Sequence, residues 1–133
     1  VLFRSETTRY YSNNTNMITN NMFNIILEKY KESKIDPLII YNDMNDEIGI
    51  ITFVKNNSDN KIYIGINISP KYRDKKIGSL ALNELVINKK IYVPIKKIYA
   101  SVKKENIKSI KLFEKYFIFD KETELFKEYF LDI

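Results

Sequence analysis

The chain has 133 residues, 44% of them hydrophobic and 14% aromatic, which is the composition of one globular domain (1–133) large enough to bury a core. It contains no cysteine and no histidine, so disulfides, thiolate chemistry, a Ser-His-Asp triad and the usual zinc ligand sets are excluded. Lysine and arginine outnumber aspartate and glutamate by 22 to 17, and the charge of +5 favours an anionic partner without choosing one; the lysines are dispersed, which argues against a nucleic acid.

The opening VLFRSETTRYYSNNTN starts on Val inside an apolar patch and reads as if an upstream segment were missing. It has no signal-peptide pattern, and no run approaches the roughly 18 apolar residues of a membrane span, so a cytoplasmic location and no membrane partner are expected. Residues 1–10 allow a helix, and Ser12 to Asn16 is turn material. Met22, Phe23, Ile26, Leu27 and Tyr30 then follow helical spacing and predict an amphipathic helix over about 18–33, capped by Thr19.

Pro37 ends that register, and Leu38 to Tyr41 predicts a short strand with a turn at Asn42 to Asp46. Glu47 to Lys55 predicts a second strand whose faces are both apolar, hence a central one. A polar hairpin loop over residues 55–61 leads to Ile62, Ile64, Ile66 and Ile68, which alternate with Tyr63, Gly65 and Asn67 as in a strand with one buried face. Ser69-Pro70 stops this strand, since proline has no amide hydrogen for the ladder.

A basic stretch, Arg73 to Gly78, leads into an apolar-periodic helix carrying Ala81, Leu82, Leu85 and Val86 and ending before Pro94. Strand, basic loop, helix start is an order that presents unpaired N–H groups and positive charge to an anion such as a pyrophosphate. The same residues also read as a solvated basic turn ahead of an ordinary helix. Lys97 to Val102 predicts a strand reached by a parallel right-handed crossover, and Asn106 caps a helix, Ile107 to Tyr116, with Ile107, Ile110 and Phe113 as its stripe. Phe117 to Phe119, a DKETE turn and Leu125 to Phe130 close the chain as a hairpin.

YRDKKIGSLAL resembles the pyrophosphate loop of the GCN5-related N-acetyltransferases, whose pattern is Arg or Gln, two residues, Gly, one residue, Gly or Ala; Arg73 and Gly78 match its ends. VKKENIKSIKLFEKYFIF resembles the same family's second conserved region, with Asn106 at the matching place. The resemblance implies a mixed α/β fold: a central, mostly antiparallel sheet of about six strands flanked by helices. The family's usual first strand is not visible in the sequence.

It also implies acetyl-CoA as co-substrate, no metal, and direct transfer of an acetyl group to a primary amine of a small molecule or peptide, with a homodimer as one compatible assembly. Backbone groups of Ile66 and Ile68 are then expected to face the pantetheine arm. The N–H groups of Lys75, Lys76, Ile77, Gly78 and Ser79 are expected to hold the pyrophosphate, with Arg73 and Asp74 in the same loop and Asn106 contacting the cofactor, capping its helix, or both. Where the family usually has a tyrosine this chain has Phe113, so Tyr116 is the candidate proton donor. Tyr63 stands where a general-base glutamate is often found, and the base is unassigned. Lys76 replaces the inner glycine of the loop, and Tyr116-Phe117 the late Gly-Phe pair.

FRSETTRYYSNN resembles acetyltransferases of nucleotide-linked amino sugars, which implies Arg9, Tyr11 and Asn14 on the acceptor side; the same residues also read as a surface loop with ordinary turn chemistry. The departures at Lys76 and Phe113 also fit a catalytically silent acyl-CoA-binding or interaction module on the same fold.

Overall fold

A computed structural model describes residues 2–4 and 35–133. Among these residues seven strands form one sheet: β1 (Leu2–Arg4), β2 (Leu38–Tyr41), β3 (Glu47–Lys55), β4 (Ile62–Ile68), β5 (Lys97–Lys103), β6 (Ile118–Glu122) and β7 (Phe126–Asp132). Their order is β1-β2-β3-β4-β5-β7-β6, and every neighbouring pair is antiparallel except β4 and β5. Among the described residues the α-helices are α1 (Ile77–Ile87), the four-residue α2 (Lys89–Tyr92) and α3 (Ile107–Tyr116). The mixed, mostly antiparallel sheet with helices is the expected architecture.

The strand absent from the sequence reading is present: Leu2 to Arg4 pairs antiparallel with β2, and these residues are not helical. A three-residue strand is too short to carry a period, and it is the register with Ile39 to Tyr41 that defines it. The predicted helix over 18–33 and its cap Thr19 lie outside the described residues.

Alternation sorts the strands into two faces. Ile64 on β4 and Ile98, Ala100 and Val102 on β5 are buried in one cluster with Ala81, Leu82 and Leu85 of α1 and Ile110 and Phe113 of α3. By the same alternation Tyr63, Tyr99 and Ser101 stand on the opposite face. Ile107, expected in the α3 stripe, is instead 55% exposed at the first position of the helix, and Ile110 and Phe113 are its buried residues. The expected DKETE turn is also largely strand. β6 continues to Glu122 as a fully exposed edge, where alternating charges are tolerated because one side of the strand faces water, and only the Thr123 to Phe126 turn reverses the chain.

Candidate functional site

β4 and β5 share a single bridge, Tyr63 with Tyr99, and then diverge. From Gly65 to Ile68 the ladder of β4 runs on its β3 side only, and the gap on the other side opens into a cleft of about 1010 Å³. Ile64 to Ile68 form one wall, Ser101 to Lys103 the other, and the start of α1 with one side of α3 the roof. Ile66 and Ile68 both line the cleft. Ile68 differs in one respect: its carbonyl already accepts a hydrogen bond from Arg73 Nε at 3.0 Å.

The loop after β4 turns sharply. Pro70 to Tyr72 form a short 3-10 helix, Asp74 takes a φ of 63°, and Lys76, the N-cap of α1, takes a φ of 61°. Lys76 makes no side-chain capping bond, and the first turn of α1 has no acidic residue. The leading N–H groups of α1 thus have neither an intrahelical partner nor a capping side chain, at the positive end of the helix dipole.

Gly78 is the second residue of α1 rather than part of the loop, and its φ is not positive. A Cβ there would meet Leu112 Cδ2 at 3.6 Å, an ordinary contact. The left-handed backbone of this stretch belongs to Asp74 and Lys76.

Arg73, Asp74, Lys76, Ile77, Gly78, Ser79 and Asn106 all line the cleft; Lys75 does not, and its ammonium lies 5.7 Å from the Tyr72 ring. Lys108 Nζ meets Asp74 Oδ1 at 2.6 Å, tying the loop to α3, and this hydrogen bond, followed by the charge beside it, holds the Asp74 carboxyl below its ordinary value. Asn106 caps α3 by accepting from the Ser109 amide at 3.2 Å.

The sequence reading missed Lys108, Lys111 and Lys115, which stand together along the cleft. Their spacing of three and then four residues on a helix was the available signal, since such residues share a face.

Tyr116 does not line the cleft. Its hydroxyl lies 3.5 Å from Ser79 Oγ, which does. Phe113 does line it, buried and edge-on to Phe117 at 5.2 Å between centroids. The acceptor-side candidates Arg9, Tyr11 and Asn14 lie outside the described residues.

Beside the Tyr63 and Tyr99 bridge, next to the cleft wall but on the face of the sheet away from α1 and α3, is a polar group that the sequence reading did not assemble. Tyr63 Oη lies 3.0 Å from Asp59 Oδ2 and 3.2 Å from Glu128 Oε1. Burial, then the hydrogen bond to Asp59 and the charge of Glu128, push the Tyr63 phenol well above its ordinary value, so it stays protonated. Asp59 is held below its ordinary value, chiefly by the Lys61 amide that donates to it at 3.0 Å. The Tyr63 and Tyr99 rings lie 5.8 Å apart, and Lys61 Nζ sits 4.6 Å over the Tyr99 ring.

The sequence profile of the acetyltransferase (GNAT) family matches residues 5–119. No curated protein matches the chain. Among solved structures, a spermidine N-acetyltransferase SpeG chimera from Vibrio cholerae and hSSAT superposes with a TM-score of 0.71 at 16% identity, covering 99% of this chain and 96% of that one. The spermidine N-acetyltransferase from Vibrio cholerae in complex with CoA and spermine gives 0.66 at 18% identity, with 98% and 94% covered. These identities establish a shared fold. The profile match spans most of the chain, from ahead of β2 through the pyrophosphate-type loop and α3, and on it the chain belongs to the GNAT family of acetyltransferases.

Proposed function

We propose that this chain moves the acetyl group of acetyl-CoA to a primary amine by direct attack, and that the acceptor is an alkylammonium compound rather than a nucleotide-linked amino sugar. The observation that carries the first part is the cleft where β4 leaves β5, roofed by an uncapped helix start and the lysine stripe Lys108, Lys111 and Lys115. The co-substrate supplies an activated acyl carbon. The α1 N–H groups, Lys76 and the α3 lysines would hold its phosphates, and the ladder-free side of Gly65 to Ile68 would hold its arm.

The acceptor class is supported by the carboxylates of Asp59 and Glu128 beside two tyrosine rings, a setting suited to a cation. Structural neighbours titled as spermidine acetyltransferases agree with it. An amino-sugar acceptor would rest on Arg9, Tyr11 and Asn14, and neither structural neighbour described above is titled as acting on an amino sugar. Tyr116 would protonate the departing thiolate through Ser79. A silent acyl-CoA-binding module is the second reading, favoured by the phenyl ring of Phe113 in the cleft, which can donate no proton.

Acetyl-CoA at 100 times its dissociation constant should raise stability by about 2.7 kcal/mol, read as a rise in melting temperature. Free thiol should then appear when n-butylamine or spermidine is added, and Tyr116→Phe should slow its release by about 10²-fold. A shifted midpoint without thiol release would identify the silent module; an unmoved midpoint would remove the cofactor assignment.

A further inference from the structure

The closed end of the cleft is where an acyl group would lie. The phosphate-binding features are at the open end, by the start of α1, so an arm held there runs inward toward the Tyr63 and Tyr99 bridge. Tyr63 adjoins Ile64 of the cleft wall, and Glu128 on β7 is the direct cross-strand partner of Ser101 on the other wall. Cross-strand partners share a face, so Glu128, Ser101 and Tyr63 are gathered on one side of the sheet.

Glu128 is 9% exposed, and apart from it the buried core of the described residues is apolar. A buried carboxylate is costly unless it is bonded, and Glu128 divides its two oxygens: Oε2 lies 3.8 Å from Lys121 Nζ on β6, and Oε1 faces the Tyr63 hydroxyl. That hydroxyl has one proton, yet it stands between two carboxylates, Asp59 and Glu128. It can donate to only one at a time, so one of the two facing oxygens, Asp59 Oδ2 or Glu128 Oε1, is left without the Tyr63 proton. The Lys61 ammonium on the adjoining Tyr99 ring shows that a primary ammonium fits beside this group.

We infer that Tyr63 and Glu128 form a relay that takes the proton from the acceptor amine; this rests on the acetyl-transfer reading above. A proton of the bound alkylammonium passes to the Tyr63 oxygen as the Tyr63 proton passes to Glu128 Oε1, leaving the nitrogen a free electron pair. The nitrogen then bonds to the acyl carbon, the carbon–sulfur bond breaks with its electron pair on sulfur, the thiolate takes the Tyr116 proton through Ser79, and the second nitrogen proton leaves to solvent, from which Tyr116 is reprotonated. Glu128 returns its proton to solvent. The charged groups around the relay are Lys121 on β6, Asp59 in the β3–β4 turn and Lys61 at its end.

The test is the pH profile of kcat/KM for Glu128→Gln and Tyr63→Phe, with spermidine and n-butylamine as acceptors. Near neutral pH each variant should fall by about 10² to 10⁴-fold, the scale of general base catalysis, and the double variant should fall no further than the worse single one. The deficit should shrink as pH approaches the amine's own value of about 10.4, where the acceptor deprotonates unaided. Acetyl-CoA affinity and melting temperature, measured alongside, should stay near wild type. Wild-type turnover with undiminished Glu128→Gln activity, or a loss equal at every pH, overturns the relay alone. Acetyl-CoA binding without wild-type turnover of either amine overturns the acceptor reading, and the relay with it.

Discussion

Lys76 holds the left-handed backbone that begins α1. For a residue with a Cβ this conformation costs roughly 1–2 kcal/mol, and glycine adopts it freely while losing about 0.5–1 kcal/mol through the freedom of its unfolded chain. Lys76→Gly should therefore stabilise the apoprotein by about 0.5–1 kcal/mol, seen as a higher urea midpoint at unchanged slope. A lower midpoint would mean that the lysine stem contributes more than the strained backbone takes away. The sequence showed that Lys76 stands at a glycine position of the loop, but a left-handed φ is a property of the turn, and the neighbouring Asp74 adopts one as well. The Tyr63–Glu128 contact was beyond sequence reading for another reason: the partners are 65 residues apart and meet through the strand order.

At the scale of elements, α3 combines two tasks in Asn106, which caps the helix and lines the cleft. Asn106→Ala should cost about 1 kcal/mol of stability, the usual price of a lost N-cap. Asn106→Asp keeps the cap and suits the helix dipole, yet sets a carboxylate against the co-substrate's phosphates. Its stability should match wild type while the dissociation constant for coenzyme A rises about tenfold or more in a binding titration. Unchanged affinity would reduce Asn106 to a cap. The elements themselves were largely legible. The isoleucine alternation of β4, the doubly apolar β3 and the capped α3 appear at the predicted bounds, because burial on a fixed face imposes a period. β6 was read short because an exposed edge imposes none.

For the molecule as a whole, neither chain order nor hydrophobic period gives the sheet order. β7 inserts between β5 and β6, so the last hairpin reaches the sheet through its second strand. That insertion brings Glu128 beside Ser101, a residue of the cleft wall. The sheet is thereby divided into two halves, β1 to β4 and β5 to β7, each internally antiparallel and joined at the Tyr63 and Tyr99 bridge.

A sheet joined at one bridge is mechanically a hinge. Each half can keep its own ladders while the two rock about the seam, so opening there should require less free energy than global unfolding. A ligand spanning the seam would couple the halves into a clamp. In native-state hydrogen exchange, bound acetyl-CoA should therefore slow the Gly65 to Ile68 amides more than those of the β5–β7 ladder. Equal slowing across the whole sheet would show that the two halves already move as one.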